Sequence, residues 1–206
     1  MVKMESREIY TFQDLLKIIS LLRGPGGCPW DAEQTHTSIR RNMIEEAAEA
    51  AEAIDSGDSA LLCEELGDVL LQVIFHADIA AQSGTFTIDD VVDGICKKLI
   101  TRHPHVFGNV IVNDSGEVMD NWEDIKRNAK GHTTMAETLR GTSAALPGLM
   151  RLQKMLGKIG DMPLPECRGF AGKLTALAAE ANAQDADLET CASEACRALI
   201  AQAEVV

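Results

Sequence analysis

Between Ser38 and Gln82 the chain carries one cluster of helix-breaking residues, "DSGDS" at 55–59, and on both sides of it the sequence is written for helix. The first run, to Ile54, is alanine-rich. The second, from about Ala60, repeats Leu62, Leu66, Val69, Leu70, Val73, Ile74 and Ala77 at helical spacing. Gly57 suits a C-terminal cap, and Asp58 or Ser59 can cap the helix that follows. So short a connection predicts an antiparallel helical hairpin. Aromatic residues are only 4% of the chain against 46% hydrophobic residues, so the core must come from Ala, Leu, Ile, Val and Met. The fold class expected is all-α.

The rest of the chain supports that class. "TFQDLLKIISLL" opens with Thr11 and Asp14 in capping-box register and stops before "GPGG". Thr87 and Asp90 form a second such box, ahead of "IDDVVDGICKKLITR", which ends near Pro104. Residues 108–119 read as a loop or a short hairpin about "NDSG", and "NWEDIKRNAK" as a short helix with Asp120 as cap and Glu123 at its third position. Beyond Gly131 the texture changes: "TSAALPGLMRLQKMLGKIG" and the stretch from Phe170 look helical but carry no dense cluster of functional residues. Two domains are therefore expected, 1–131 and 132–206.

The hairpin carries a conflict. Glu46 and Glu49 are three apart on its first helix, and Glu65 and Asp68 three apart on its second, with Glu45, Glu52 and Glu64 beside them. Residues three apart share a helix face, so an antiparallel pairing makes four carboxylates converge. No Lys or Arg lies between Asn42 and Gln82. Two unit charges about 4 Å apart at an effective dielectric near 20 repel by roughly 4 kcal/mol. Acids along a helix are ordinarily a solvated face, but here two motifs of matching spacing on consecutive helices interrupt an apolar pattern. A hard divalent ion resolves the conflict, and all-oxygen ligation favours Mg²⁺, with Mn²⁺ as substitute, over zinc or copper. A ferritin-like di-iron bundle needs a His three residues after a Glu; His76 stands eight after Asp68, so that reading is set aside.

Downstream, Lys98 and Arg102 lie four apart, as do Trp122 and Lys126, so each pair can face one way and offer charge to phosphate or an aromatic face to a base. His103 and His105 read as structural. The net charge of −13 argues against nucleic-acid partners, whose phosphates attract basic surfaces. The six cysteines are scattered with no CxxC, as expected of reduced thiols in a cytoplasmic protein. "MVKMESREIY" lacks the apolar run of a signal peptide, and no apolar stretch reaches membrane-spanning length.

Five blocks, "GPGGCPWDAEQTH", "IEEAAEAAEAI", "EELGDVLLQVIFHADIA", "KLITRHPHVFG" and "NWEDIK", stand in the order and spacing of the MazG nucleotide pyrophosphohydrolases, which the chain resembles over residues 8 to about 130. The resemblance implies an all-α hairpin fold and a homodimer that completes four-helix bundles. It implies Mg²⁺-dependent cleavage of a nucleoside triphosphate to monophosphate and pyrophosphate. Carried over by motif, Glu46, Glu49, Glu65 and Asp68 are metal ligands, Glu45 and Glu64 catalytic neighbours, and Lys98, Arg102, Trp122, Lys126 and Trp30 substrate-binding residues. Long members carry two such domains, and residues 132–206 resemble a linker followed by a truncated or degenerate second copy. The alternatives are a narrow dUTP-, dCTP- or phosphoribosyl-ATP-type pyrophosphatase, and a helical dimerisation or regulatory module without turnover.

Overall fold

The computed structural model describes residues 8–112, 114, 116–118, 121–122, 125–126, 131, 133–160 and 162–204, and among these every regular element is a helix. By its internal contacts the chain divides into two units, Met1–Thr101 and Arg102–Val206.

The first unit begins with α1 (Phe12–Arg23), capped as expected. Asp14 Oδ2 accepts from Thr11 N (2.9 Å) and Thr11 Oγ1 (2.8 Å), while Asp14 N donates back to Thr11 Oγ1 (3.3 Å). A short helix α2 (Pro29–Glu33) follows, which the breaker "GPGG" hid from the sequence; Pro29 sits in its first turn, where a missing N–H is harmless. The hairpin is α3 (Arg40–Ser56) and α4 (Ser59–Gln82). Its first helix starts at Arg40 rather than Ser38 because Thr35 and Ser38 close a reciprocal turn, Thr35 N to Ser38 Oγ at 2.9 Å and Ser38 N to Thr35 Oγ1 at 3.2 Å. Gly57, at φ 71°, supplies the left-handed cap, and Asp58 Oδ1 accepts from Ala60 N (2.9 Å) and Leu61 N (3.1 Å). The last helix of this unit is α5 (Ile88–Arg102). Its capping box is formed, with Asp90 Oδ2 accepting from Thr87 N at 2.8 Å.

α3 packs along α4, and α1 packs on both α2 and α4. Alanines make the hairpin seam: Ala50, Ala53, Ala77 and Ala80 are buried. Behind it Ile19, Ile39, Ile74 and Phe75 form the core, with Leu15, Leu16, Leu71, Ile79 and Ile88 against them. Full burial of each larger side chain contributes roughly 1.5–3 kcal/mol. The expected apolar face of α4 is only partly the buried one. Leu66 and Leu70 are 53% and 38% exposed, because α4 is apolar around most of its circumference and its period singles out no one face. On α5 Val91, Val92, Ile95, Leu99 and Ile100 are likewise exposed.

The second unit contains α6 (Pro104–Phe107), α7 (Met135–Arg140), α8 (Gly148–Leu156), α9 (Gly169–Ala183) and α10 (Leu188–Glu204). Pro104, which ends α5, opens α6. Gly116–Val118, expected as loop, is helical. Asn121, Trp122, Ile125 and Lys126 are helical as read, while Asp120 and Glu123 lie outside the described residues, as do Asn113 and Ser115 of "NDSG". Ala178, Ala181 and Leu188 form this unit's core with Leu149, Leu152, Leu156 and Ala186. Gln153 ties its helices together: Nε2 donates to Ala186 O (2.8 Å), Oε1 accepts from Leu188 N (2.8 Å), and Gln153 O accepts from Asn182 Nδ2 (2.9 Å).

One buried charge fastens α1 and α2 to the hairpin. The Arg23 side chain, 3% exposed, pairs through Nε with Asp78 Oδ2 at 2.9 Å, donates to Asp31 O and lies over the Phe75 ring. Removing one partner of a buried pair strands the other. Arg23→Ala is expected to lower unfolding stability by about 3 kcal/mol, whereas Arg23→Met combined with Asp78→Leu should recover most of it. Urea unfolding of the three proteins measures the difference.

Candidate metal centre

Because α3 and α4 run antiparallel along an alanine seam, their backbones approach closely and the acids on their facing edges cannot avoid one another. Glu46, Glu49 and Glu65 each bring a carboxylate oxygen within 4.8 Å of the others. Asp68 stands one turn beyond Glu65, and its charge bears on both Glu46 and Glu65. Glu46 and Glu65 are half-buried and Glu49 is exposed, so the cluster opens to solvent on one side.

The electrostatics carry the unresolved conflict foreseen in the sequence. The Glu46 carboxyl is pushed above its ordinary 4.5 by partial burial, then by Asp68, Glu49, Glu65 and Glu45. Glu65 is raised by the same partial burial, then by Glu49, Asp68 and Glu64. Among the described residues no Lys or Arg pairs with Glu46, Glu49, Glu65 or Asp68. A set of carboxylate oxygens this close, with no internal counter-charge, fits a hard divalent cation.

The other expected residues are distributed unevenly. Glu45 points to Arg41, with Nε to Oε1 at 2.7 Å, an i,i+4 pair legible in the sequence but just outside the cation-free window. Glu64 is exposed beside Glu65. Arg102, Trp122 and Lys126 come together: the Arg102 guanidinium lies 5.2 Å and the Lys126 ammonium 4.4 Å from the Trp122 ring centroid. Such cation–π contacts orient both cations. Lys98 is exposed on α5. Trp30, 61% exposed on α2, makes no ring contact among the described residues.

Residues 34–107 match the MazG nucleotide pyrophosphohydrolase domain. The chain belongs to the MazG family. The uncharacterized protein YabN of Bacillus subtilis is 48% identical over 154 residues, which cover 75% of this chain and 31% of that one. The nucleoside triphosphate pyrophosphohydrolase/pyrophosphatase MazG of Thermotoga maritima is 44% identical over 158 residues, covering 75% and 60%. The nucleoside triphosphate pyrophosphohydrolase of Escherichia coli is 42% identical over 142 residues, covering 68% and 54%. The chain thus spans between 31% and 60% of the length of these relatives. The matched segment holds the acid cluster, Lys98 and Arg102. Among the described residues no helix is long and apolar enough to cross a membrane.

The raised carboxyls have a thermodynamic consequence. Groups whose folded-state pKa exceeds the unfolded value bind protons more tightly when folded, so the metal-free protein gains stability as pH falls from the raised value toward 4.5. His76, whose pKa is lowered by burial and then by His36, pulls the opposite way, so the signature is a difference between proteins. In EDTA, Glu49→Gln should melt above wild type near pH 7 and lose that advantage on acidification; equal melting temperatures at both pH values would mean that the carboxylates do not repel.

Proposed function

We propose that the chain is a divalent-metal-dependent nucleoside triphosphate pyrophosphohydrolase, and the observation that carries this reading is the convergence of Glu46, Glu49 and Glu65, with no Lys or Arg paired to them among the described residues. Glu46, Glu49, Glu65 and Asp68 hold the metal, Mg²⁺ with Mn²⁺ as substitute. When bound, it supplies neutralisation of the phosphate chain and acidification of the attacking water. This is also how a protein of net charge −13 holds a polyanionic substrate.

The chain's own groups do the rest. Glu45, oriented by Arg41, and Glu64 are the nearby carboxylates placed to take the proton of the attacking water. Arg102 and Lys126, steadied against Trp122, and Lys98 gather the outer phosphates and stabilise the pyrophosphate leaving group. Trp30 supplies exposed aromatic surface to the nucleotide. The protein works as a homodimer, supported by apolar residues left open on the hairpin and its neighbour: Leu66 and Leu70 on α4, Ile95 and Leu99 on α5. The setting is the cytoplasm.

Residues 132–206 act as a linker and a truncated or degenerate second copy. Ala178 and Ala181, both buried, stand to the left-handed Asp185 as buried Ala50 and Ala53 stand to Gly57. In the same register Leu174, Leu177, Ser193 and Cys196 replace Glu46, Glu49, Glu65 and Asp68. With those residues the second copy lacks the four-carboxylate set, and residues 1–131 form the catalytic domain.

Separation of the reaction products by ion exchange tests the assignment. With Mg²⁺, ATP or dCTP should give one nucleoside monophosphate and one pyrophosphate per turnover, and Arg102→Ala should lower kcat/KM by roughly 10-fold or more through lost charge stabilisation. Diphosphate with orthophosphate would place attack at the terminal phosphorus and overturn the roles given; no turnover of any nucleotide would leave a regulatory helical module.

A further inference from the structure

At the end of the hairpin away from its turn, the first unit holds a cavity of about 450 Å³. Its walls are Met43 on α3, Val73 and His76 on α4, Val91 on α5, Phe86 before it and His36 before α3. Apart from the two imidazoles, these walls are apolar. The imidazoles are bonded to each other, Nδ1 to Nδ1 at 2.8 Å, with ring planes 6° apart and centroids separated by 5.1 Å. That separation is what a near-linear N–H···N bond between edge-to-edge rings requires, so the two rings form one nearly flat plate rather than a face-to-face stack.

The bond fixes the chemistry of the plate. In a neutral pair one ring donates from Nδ1, which leaves its Nε2 bare, and the other accepts at Nδ1, which puts its proton on Nε2. The pair therefore presents one acceptor and one donor. Burial, and then the neighbouring His36, lower the His76 pKa, so that ring gives up its proton more readily than a free imidazole. Among the described residues nothing bonds to either Nε2. An apolar slot with one donor and one acceptor disfavours phosphate, which would lose its hydration there without a counter-charge, and suits a flat heterocycle, since nucleobases carry a donor and an acceptor on one edge and an apolar face.

Register ties this slot to the acid cluster. Met43 lies one helical turn before Glu46, and Val73 and His76 lie roughly 7 and 12 Å along the axis beyond Asp68, at a rise of about 1.5 Å per residue. On antiparallel helices both displacements run the same way. A nucleotide whose phosphates sit at the carboxylates would have its base about one sugar further along.

We infer that this cavity is the nucleobase subsite, and that the His36–His76 pair is its polar recognition element. The inference rests on the nucleotide reading proposed above. A site of this kind reads ring shape and a donor–acceptor edge shared by several bases, so it selects nucleotides as a class and favours no single base.

Steady-state kinetics of the full chain with ATP and dCTP tests it, alongside Mn²⁺ affinity measured by electron paramagnetic resonance. His36→Ala, at an exposed ring that the core does not need, and Val73→Phe, which narrows the slot, should each raise KM for both nucleotides about tenfold with a much smaller change in kcat. Mn²⁺ affinity should stay at the wild-type value. That split marks lost ground-state binding rather than lost metal or lost fold. Unchanged KM for both nucleotides in both variants, with an active wild type, overturns the subsite while leaving the pyrophosphohydrolase reading intact. A wild-type protein that neither binds nor cleaves any nucleoside triphosphate overturns both.

Discussion

Everything in the first unit follows from the close approach of α3 and α4. Alanine at positions 50, 53, 77 and 80 lets the helices meet with little side-chain volume between them. The same closeness forces Glu46, Glu49 and Glu65 together. A hairpin with Leu in the seam would hold its helices further apart and the acids would relax into water. As it stands, Glu46 and Glu65 meet their neighbours as like charges in a half-buried setting, and their proton affinity rises. The stability lost to that repulsion is what a divalent cation can return.

The cost is contained by the surrounding core. Ile19, Ile39, Ile74 and Phe75 lie behind the seam, and Arg23 locks α1, α2 and α4 through Asp78 and Asp31. These contacts fix the scaffold so that the acids cannot separate by splaying the helices. In the second unit the buried alanines, Ala178 and Ala181, pack against Leu149, Leu152 and Leu156 of α8, and among the described residues no comparable set of carboxylates converges there.

Much of this was legible in the chain. The helix boundaries of α1, α4 and α5 follow from Thr11, Asp58 and Thr87, whose side chains bond the backbone within three residues. The acid cluster follows from i,i+3 spacing on either side of Gly57. What sequence could not give was tertiary in origin. α2 and α6 are single turns whose residues carry no periodicity, and each begins at a proline that reads first as a breaker. Leu66 and Leu70 share the helical spacing of buried Ile74 and Ala77 yet are exposed, because spacing counts apolar residues without knowing which neighbour covers them. His36 and His76 are forty residues apart, and only the fold brings their rings to 2.8 Å.

The central claim is that Glu46, Glu49, Glu65 and Asp68 act as one cation site. Its most direct test is titration of the metal-free protein with Mn²⁺, followed by electron paramagnetic resonance, in wild type and in Asp68→Ala. The account predicts saturable binding in wild type, competed by Mg²⁺, and an affinity lower by tenfold or more in Asp68→Ala with helical content unchanged. Equal Mn²⁺ binding by the two proteins would contradict it.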